Sequence, residues 1–199
     1  MGVGPGVPPQ KQPRCSSPCP IALCQDDLRP LSCNGSDSQG GIGLTTLDSL
    51  DTLLVRTYSL EQGVMNQLEA FYKALCWVTG EGTDCGSGGD PPPRLTFDLD
   101  VRVHVFEVTI RALGGLLSAH QLLTQNLQLA PWYRGGLLLA AVDLADRLLP
   151  AFNTPSGIPL SWINLRHGQA SDRVVEGWQG TLSMSLKHSA SLEPPGICV

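Results

Sequence analysis

The 199-residue chain carries a formal net charge of −5, and 42% of its residues are hydrophobic while 16% are charged. This composition is typical of a globular protein with a sizeable core, and the negative charge argues against a nucleic-acid-binding surface. The longest apolar stretch, residues 137–149, is interrupted by Asp143, Asp146 and Arg147. No membrane span is therefore predicted.

The first 25 residues predict a disordered tail. They are rich in proline and glycine and contain no apolar run of the length of a secretory signal peptide. The chain has seven cysteines, an odd number, so at least one of them cannot pair within the chain. Cys15, Cys19 and Cys24 resemble a zinc-binding cluster, but their spacing fits no standard finger and the first histidine is His104. No metal site is predicted.

Residues 26–43 predict a loop, because glycine, serine, aspartate and asparagine dominate them. Asn34, Gly35 and Ser36 form an acceptor sequence for N-glycosylation. The modification requires entry into the secretory lumen, and an unmodified surface loop explains the same residues equally well.

Two helices are predicted next, over Leu44–Val55 and Leu60–Trp77. The apolar face of the first consists of Leu47, Leu50 and Leu54. Asp48 lies at the edge of this apolar face, and Asp51 falls between the apolar face and Leu44. A carboxylate beside an apolar stripe is costly unless it is paired or functional. Asp48 and Asp51 are therefore candidate site residues. In the alternative, Asp48 caps or pairs locally while Asp51 hydrogen-bonds the end of a neighbouring helix.

Residues 80–94 contain five glycines and three consecutive prolines, which excludes regular secondary structure. The segment predicts a loop of the kind produced by an insertion. Phe97–Val103 alternates between apolar and polar residues and predicts a short strand or an extended entry to the next helix.

A mostly apolar helix is predicted from Val105 to about Leu123. One broad face is expected to hold Val105, Ile110, Leu113, Leu116, Leu117 and Leu123. Glu107, Arg111, Gly114 and Ser118 share another face, and the small residues permit close approach of a helix or a ligand. Glu107 precedes Arg111 by four residues, the favourable order for an ion pair within a helix. A carboxyl partly removed from water is a candidate proton donor, and a plain surface ion pair is the alternative.

A further helix is predicted over Gly136–Leu149, ended by Pro150, and a turn over Thr154–Pro159. His120 is expected to be a packing residue rather than a ligand, because the histidines have no metal-ligand spacing. Residues 185–199 lack an apolar period, and residues 169–199 are expected to form a second disordered tail.

The block VFEVTIRALGGLLSAH at residues 105–120 resembles the signature of the class I α-1,2-mannosidases, glycoside hydrolase family 47. It is most similar to the branch of endoplasmic-reticulum degradation-enhancing α-mannosidase-like proteins. Further blocks agree in the family's order at residues 27–35, 44–54, 97–101, 148–152, 157–159 and 164–165. This many ordered blocks is a specific signal for the family.

The resemblance implies an all-α fold, the (α/α)7 barrel, of which residues 26–168 would supply only the first few helices. It implies an inverting hydrolase that trims α-1,2-linked mannose from high-mannose N-glycans on misfolded glycoproteins in the endoplasmic reticulum, feeding them to degradation. The visible sequence, with no signal peptide and two divergent tails, is expected to be an N-terminal fragment of such a protein.

The resemblance also implies roles for single residues. Glu107 matches the general acid, and Arg111 matches an arginine that contacts substrate and holds the acid. Asp48 and Asp51 match paired aspartates, one of which points into the acidic pocket. Asn164 matches a loop at the pocket mouth, and a plain turn explains it equally well.

The family's catalytic base, a further catalytic acid and the threonine that helps to bind calcium lie in downstream segments with no match here. An inactive chain without its calcium site is therefore expected. The alternatives are a non-catalytic mannosidase-like lectin that binds glycoproteins, or a truncated gene model without function.

Overall fold

The computed structural model describes residues 25–29, 31, 34–58, 64–82, 85, 94–126, 128–155 and 157–168. This part of the chain is mostly helical. Its long helices are α1 (Leu44–Tyr58), α2 (Val64–Thr79), α4 (Gly114–Gln125) and α5 (Gly136–Leu148). A short helix α3 (Val105–Glu107) and a π-helical segment (Val108–Leu113) lead directly into α4, and we call these three elements the signature helix. A 3-10 turn (Leu149–Phe152) follows α5.

The predicted helices are all present, with shifted ends. The first extends past Val55 to Tyr58, and the second runs from Val64 to Thr79. The last regular helix ends at Leu148, where a 3-10 turn containing Pro150 takes over. Proline lacks an N–H group and so interrupts the α-helical hydrogen-bond pattern, as the sequence predicts.

The core lies where the helices meet. Helix α1 packs against α2 and the signature helix, and α5 packs against α2 and α4. The predicted apolar face of α1, consisting of Leu47, Leu50 and Leu54, is completely buried. Leu44, the first residue of the helix, is also completely buried. Fully burying each leucine stabilises the fold by roughly 1.5–3 kcal/mol. This face fixes the rotation of α1 and thereby where its two aspartates point.

The predicted apolar face of the signature helix is partly wrong. Val105, Leu116 and Leu123 are buried as expected, but Ile110 is 51% exposed and Leu117 is 43% exposed. The reason is the π-helical segment, in which the amide of Gly114 reaches the carbonyl of Thr109, five residues back. The wider turn shifts the register of the buried side chains relative to a regular α-helix.

Four short strands form two antiparallel ribbons in the described residues. Strands β1 (Asp27–Arg29) and β2 (Asn34–Ser36) make a hairpin, so the prediction of a plain loop over 26–43 is wrong there. Strand β3 (Arg102–His104) pairs with β4 (Trp162–Asn164), with Val103 opposite Ile163. The β4 strand has no counterpart among the predicted elements.

The two faces of the β3–β4 ribbon differ. Val103 and Ile163 point into the core and are buried. Side chains alternate along a strand, so the remaining four residues share the opposite face. We call this the outer face of the ribbon, and it comprises Arg102, His104, Trp162 and Asn164.

A disulfide joins Cys76, near the end of α2, to Cys85 in the turn that follows. The remainder of the predicted 80–94 loop, residues 83–84 and 86–93, lies outside the described residues. The same holds for residues 1–24 of the predicted tail 1–25 and for the predicted tail 169–199. No described helix is both long enough and apolar enough to cross a membrane.

Candidate active site

The candidate site lies where α1 crosses the signature helix. At Gly115 the backbones come so close that a Cβ atom would sit 2.1 Å from the carbonyl oxygen of Leu47. Only glycine allows this approach, since 2.1 Å is far inside van der Waals contact. The crossing brings the aspartates of α1 within hydrogen-bond reach of polar side chains on the signature helix.

Arg111 connects two carboxylates from different helices. Its Nε donates to Oδ2 of Asp48 at 2.9 Å, and its Nη1 lies 4.0 Å from Oε2 of Glu107. The arginine side chain is 28% exposed, whereas Asp48 and Glu107 are 46% and 41% exposed. A guanidinium between two carboxylates offsets their mutual repulsion and fixes their spacing.

Asp51 is engaged by the same two helices one turn further along. Ser118 Oγ donates to Oδ2 of Asp51 at 2.7 Å, and Thr52 Oγ1 donates to Oδ1 at 3.3 Å. The half-buried Asp51 therefore bonds to a neighbouring helix, which was the structural alternative for this residue. Asp48, in contrast, lies in the Arg111–Glu107 cluster.

Glu107 is the last residue of α3, at the point where the π-helical segment begins. Its backbone amide donates to Nδ1 of His104, which caps the start of the helix, at 3.5 Å. The side chain is partly exposed, and its 4.0 Å separation from Arg111 exceeds hydrogen-bonding distance. The Glu107 carboxyl therefore lies beside a cation and is accessible to a ligand.

Asn164 stands apart from this cluster and organises a turn. Its Nδ2 donates to Oδ1 of Asp100 at 2.8 Å, and its Oδ1 accepts from the backbone amides of Arg166 and His167. It lies on the outer face of the ribbon, opposite Arg102. The structure thus brings together Glu107, Arg111 and Asp48, places Asp51 one turn further along the same helix crossing, and places Asn164 elsewhere.

Asn34, in the β1–β2 hairpin, is exposed, and its Oδ1 accepts from the amide of Gly35 at 2.8 Å. An exposed hairpin asparagine is sterically open to modification. Whether it is glycosylated stays a prediction.

Sequence reasoning missed a buried carboxylate that organises the segment before α1. Asp26 accepts from the amides of Gln39, Gly41 and Leu44 at 2.7, 2.8 and 3.2 Å. Burial raises the pKa of Asp26, and these three hydrogen bonds oppose the rise. Gln39 in turn accepts from the amide of His104 at 2.7 Å through Oε1. The segment from 26 to 43 therefore supports the residue that caps the helix bearing Glu107.

His120 packs within the protein, in line with the prediction. Its Nδ1 lies 2.7 Å from Oη of Tyr133, which also accepts from the amide of Leu137 at 3.3 Å. Burial lowers the pKa of His120 and raises the pKa of Tyr133 to about 12. Both partners are satisfied when the Tyr133 hydroxyl donates to a neutral imidazole.

The described residues contain no group of three or more His, Cys, Asp or Glu side chains arranged to bind a metal ion. The location of the calcium site implied by the resemblance, in downstream segments, stays a prediction. A cavity of about 240 Å³ lies elsewhere, between the end of α2, residues 94–97 and α5.

The family is decided by comparison with known proteins. The model of Glycosyl hydrolase family 47 matches residues 20–194. The chain belongs to glycoside hydrolase family 47. The resemblance seen in the sequence is thereby confirmed, and the family match includes every residue of the α1–signature helix site.

Relatives carry mannosidase names. The chain is 41% identical to alpha-mannosidase I MNS4 of Arabidopsis thaliana over 166 residues, which are 81% of this chain and 23% of that protein. It is 39% identical to human ER degradation-enhancing alpha-mannosidase-like protein 2 over 147 residues, 72% of this chain and 22% of that protein. It is 38% identical to ER degradation-enhancing alpha-mannosidase-like protein 1 of Schizosaccharomyces pombe over 172 residues, 78% and 19% of the two chains. The chain thus spans about a fifth of the length of these relatives.

Proposed function

We propose that this chain forms one side of the active site of an α-1,2-mannosidase acting on high-mannose N-glycans. Membership of family 47 and the names of the relatives support the reaction class. The names of the ER degradation-enhancing relatives support a place in the endoplasmic reticulum. That misfolded glycoproteins carry the glycans is part of the proposal and follows from the family resemblance. In this proposal the described helices are the first helices of an (α/α)7 barrel.

The observation that carries the proposal is the placement of Arg111 between Asp48 and Glu107. Glu107 is the proposed general acid: its carboxyl proton passes to the glycosidic oxygen as the bond to the sugar breaks. Arg111 positions the acid and donates to the substrate. Asp48 holds Arg111 in place, since their 2.9 Å contact fixes the guanidinium.

Inverting hydrolysis also needs a second carboxylate, which takes a proton from water as the water adds to the opposite face of the sugar. The two carboxyl groups are then about 6.5–9.5 Å apart. Asp48 is paired with Arg111 and Asp51 with Ser118, so neither is the proposed base. Because the base is worth about 10²–10⁴ in rate, the 199-residue chain alone is proposed to be inactive.

The test uses a chimera in which this chain's matched segment replaces the corresponding residues of alpha-mannosidase I MNS4. We expect it to release mannose from a high-mannose N-glycan, and Glu107→Gln to reduce release by about 10²–10⁴. Glu69→Gln is the matched control, since Glu69 is an exposed helical glutamate paired with Lys73.

Equal activity of the Glu107→Gln chimera would refute the acid assignment. The chain alone should release nothing under the same conditions. Release from the chain that disappears on Glu107→Gln would show that it contains its own base. A chimera that binds the glycan but never cleaves it would favour the lectin alternative.

A further inference from the structure

Trp162 is the centre of an exposed surface on the ribbon whose strand β3 runs directly into the signature helix. It is 40% exposed although it is a large apolar side chain, and it lies on the outer face of the ribbon. His104 lies directly opposite on β3, and its imidazole ring packs edge to face against the indole of Trp162. The two ring centroids are 4.9 Å apart and the interplanar angle is 88°. The guanidinium of Arg102 lies 5.6 Å from the centre of the indole ring.

This surface is connected to Glu107 by short covalent and hydrogen-bonded links. His104 contacts Trp162 with its ring and accepts from the amide of Glu107 through Nδ1. The amide of Val105, the first residue of the signature helix, donates to the carbonyl of Ser161, the residue before Trp162. The aromatic ring and the proposed acid are therefore anchored on the same helix start.

We propose that Trp162 and Arg102 form a sugar-binding surface that holds a second residue of the glycan whose terminal bond reaches Glu107. The inference rests on the proposed function. A pyranose ring has an apolar face of C–H groups and an edge of hydroxyls. The indole offers an apolar surface to the first, and the guanidinium donates hydrogen bonds to the second.

The preorganisation of the indole makes it suited to this role. Its ring is fixed by His104, so little side-chain entropy is lost when a sugar binds. Arg102 is exposed and retains free donors for a hydroxyl. Binding energy gained here, away from the bond that breaks, adds equally to the affinity for the glycan in the ground state and in the transition state.

The first experiment titrates the 199-residue chain with a free high-mannose N-glycan by calorimetry. We expect Trp162→Ala to weaken binding about fivefold to tenfold and Trp162→Phe to stay within about twofold, because phenylalanine keeps an aromatic face. Arg102→Gln, which removes a charge outside the core, should also weaken binding. Leu139→Ala is the control, since Leu139 is 71% exposed on α5. Urea unfolding of each variant checks that it is folded.

Wild-type binding that Trp162→Ala and Arg102→Gln leave unchanged would overturn the inference, as would the absence of any binding by the wild-type chain. The MNS4 chimera separates this outcome from the proposed reaction. There, Trp162→Ala should raise KM for the glycan and leave kcat within about twofold, because the ring binds a sugar remote from the bond that breaks. A chimera that binds the glycan through Trp162 without releasing mannose would refute the proposed reaction and leave the sugar-binding surface supported. Mannose release with the same KM before and after Trp162→Ala would refute the sugar-binding surface and leave the proposed reaction supported.

Discussion

Adding one methyl group at Gly115 should separate the two helices that build the candidate site. The new Cβ would lie 2.1 Å from the carbonyl oxygen of Leu47 and 2.9 Å from its carbonyl carbon. Both are backbone atoms, so no side-chain rotation relieves the clash and α1 must move. Overpacking of this kind costs about 1–3 kcal/mol. Alanine recovers up to about 1 kcal/mol in helix propensity, so we expect Gly115→Ala to lose a net of about 1–2 kcal/mol in the free energy of unfolding.

Gly114 provides the matched control one position earlier. A Cβ there would lie 3.7 Å from the carbonyl oxygen of Thr109, an ordinary contact. Gly114→Ala should therefore be neutral or stabilise the protein by up to about 1 kcal/mol, from helix propensity alone. The two substitutions are chemically identical, and only the position of α1 distinguishes them.

The measurement is urea unfolding of the full chain followed by circular dichroism, which reports the free energy of unfolding through the midpoint and slope. We expect the midpoint to fall for Gly115→Ala and to hold or rise for Gly114→Ala. In the MNS4 chimera, Gly115→Ala should also reduce mannose release, because displacing α1 stretches the 2.9 Å bond between Arg111 and Asp48. Equal midpoints for the two variants would refute the close crossing of α1 and the signature helix.

Further predictions concern titration and modification. Burial lowers the pKa of His120 in the folded protein below its ordinary value of 6.5. The unfolded chain therefore binds a proton at a higher pH than the folded protein does. The free energy of unfolding is thus greatest above pH 6.5 and decreases as the pH falls below 6.5. The urea midpoint should thus decline between pH 7.5 and 5.5 more steeply for the wild type than for His120→Gln, and parallel declines would contradict the assignment. Arg166 holds the pKa of Asp98 below its usual range, assisted by Arg147, so this pairing is present above pH 3.8 and lost as the pH falls through the lowered pKa. In Asp98→Asn the urea midpoint should depend less on pH at acid pH than it does in the wild type. The same pH dependence in both proteins would show that these ion pairs do not stabilise the fold. When the chain is directed into the secretory pathway, Asn34→Gln should remove one endoglycosidase-sensitive mass shift, and an identical gel mobility would rule out the modification.

The sequence predicts the parts of this molecule that depend on local periodicity. The leucines of α1 repeat at helical spacing, and burial of Leu47, Leu50 and Leu54 follows from that spacing alone. The ion pairing of Glu107 with Arg111 follows in the same way, since residues four apart on a helix are neighbours.

Local periodicity does not predict the features of the molecule that depend on how its helices pack against one another. Ile110 is exposed because a π-helical turn changes the register, and apolar spacing does not signal that change. The glycine that permits the helix crossing is Gly115, whereas the shared polar face singled out Gly114. The pairing of Arg111 with Asp48 joins residues 63 positions apart and follows only from the packed arrangement.

His104 restricts which parts of this surface are able to change independently. Its amide donates to Gln39, its ring nitrogen accepts from the amide of Glu107, and its ring faces Trp162. Replacing Trp162 removes one of the contacts that support this imidazole, and replacing Gln39 removes another. Libraries that vary the proposed sugar-binding surface should therefore randomise positions 39, 104 and 162 together, because the effects of substitutions at residues in contact do not add.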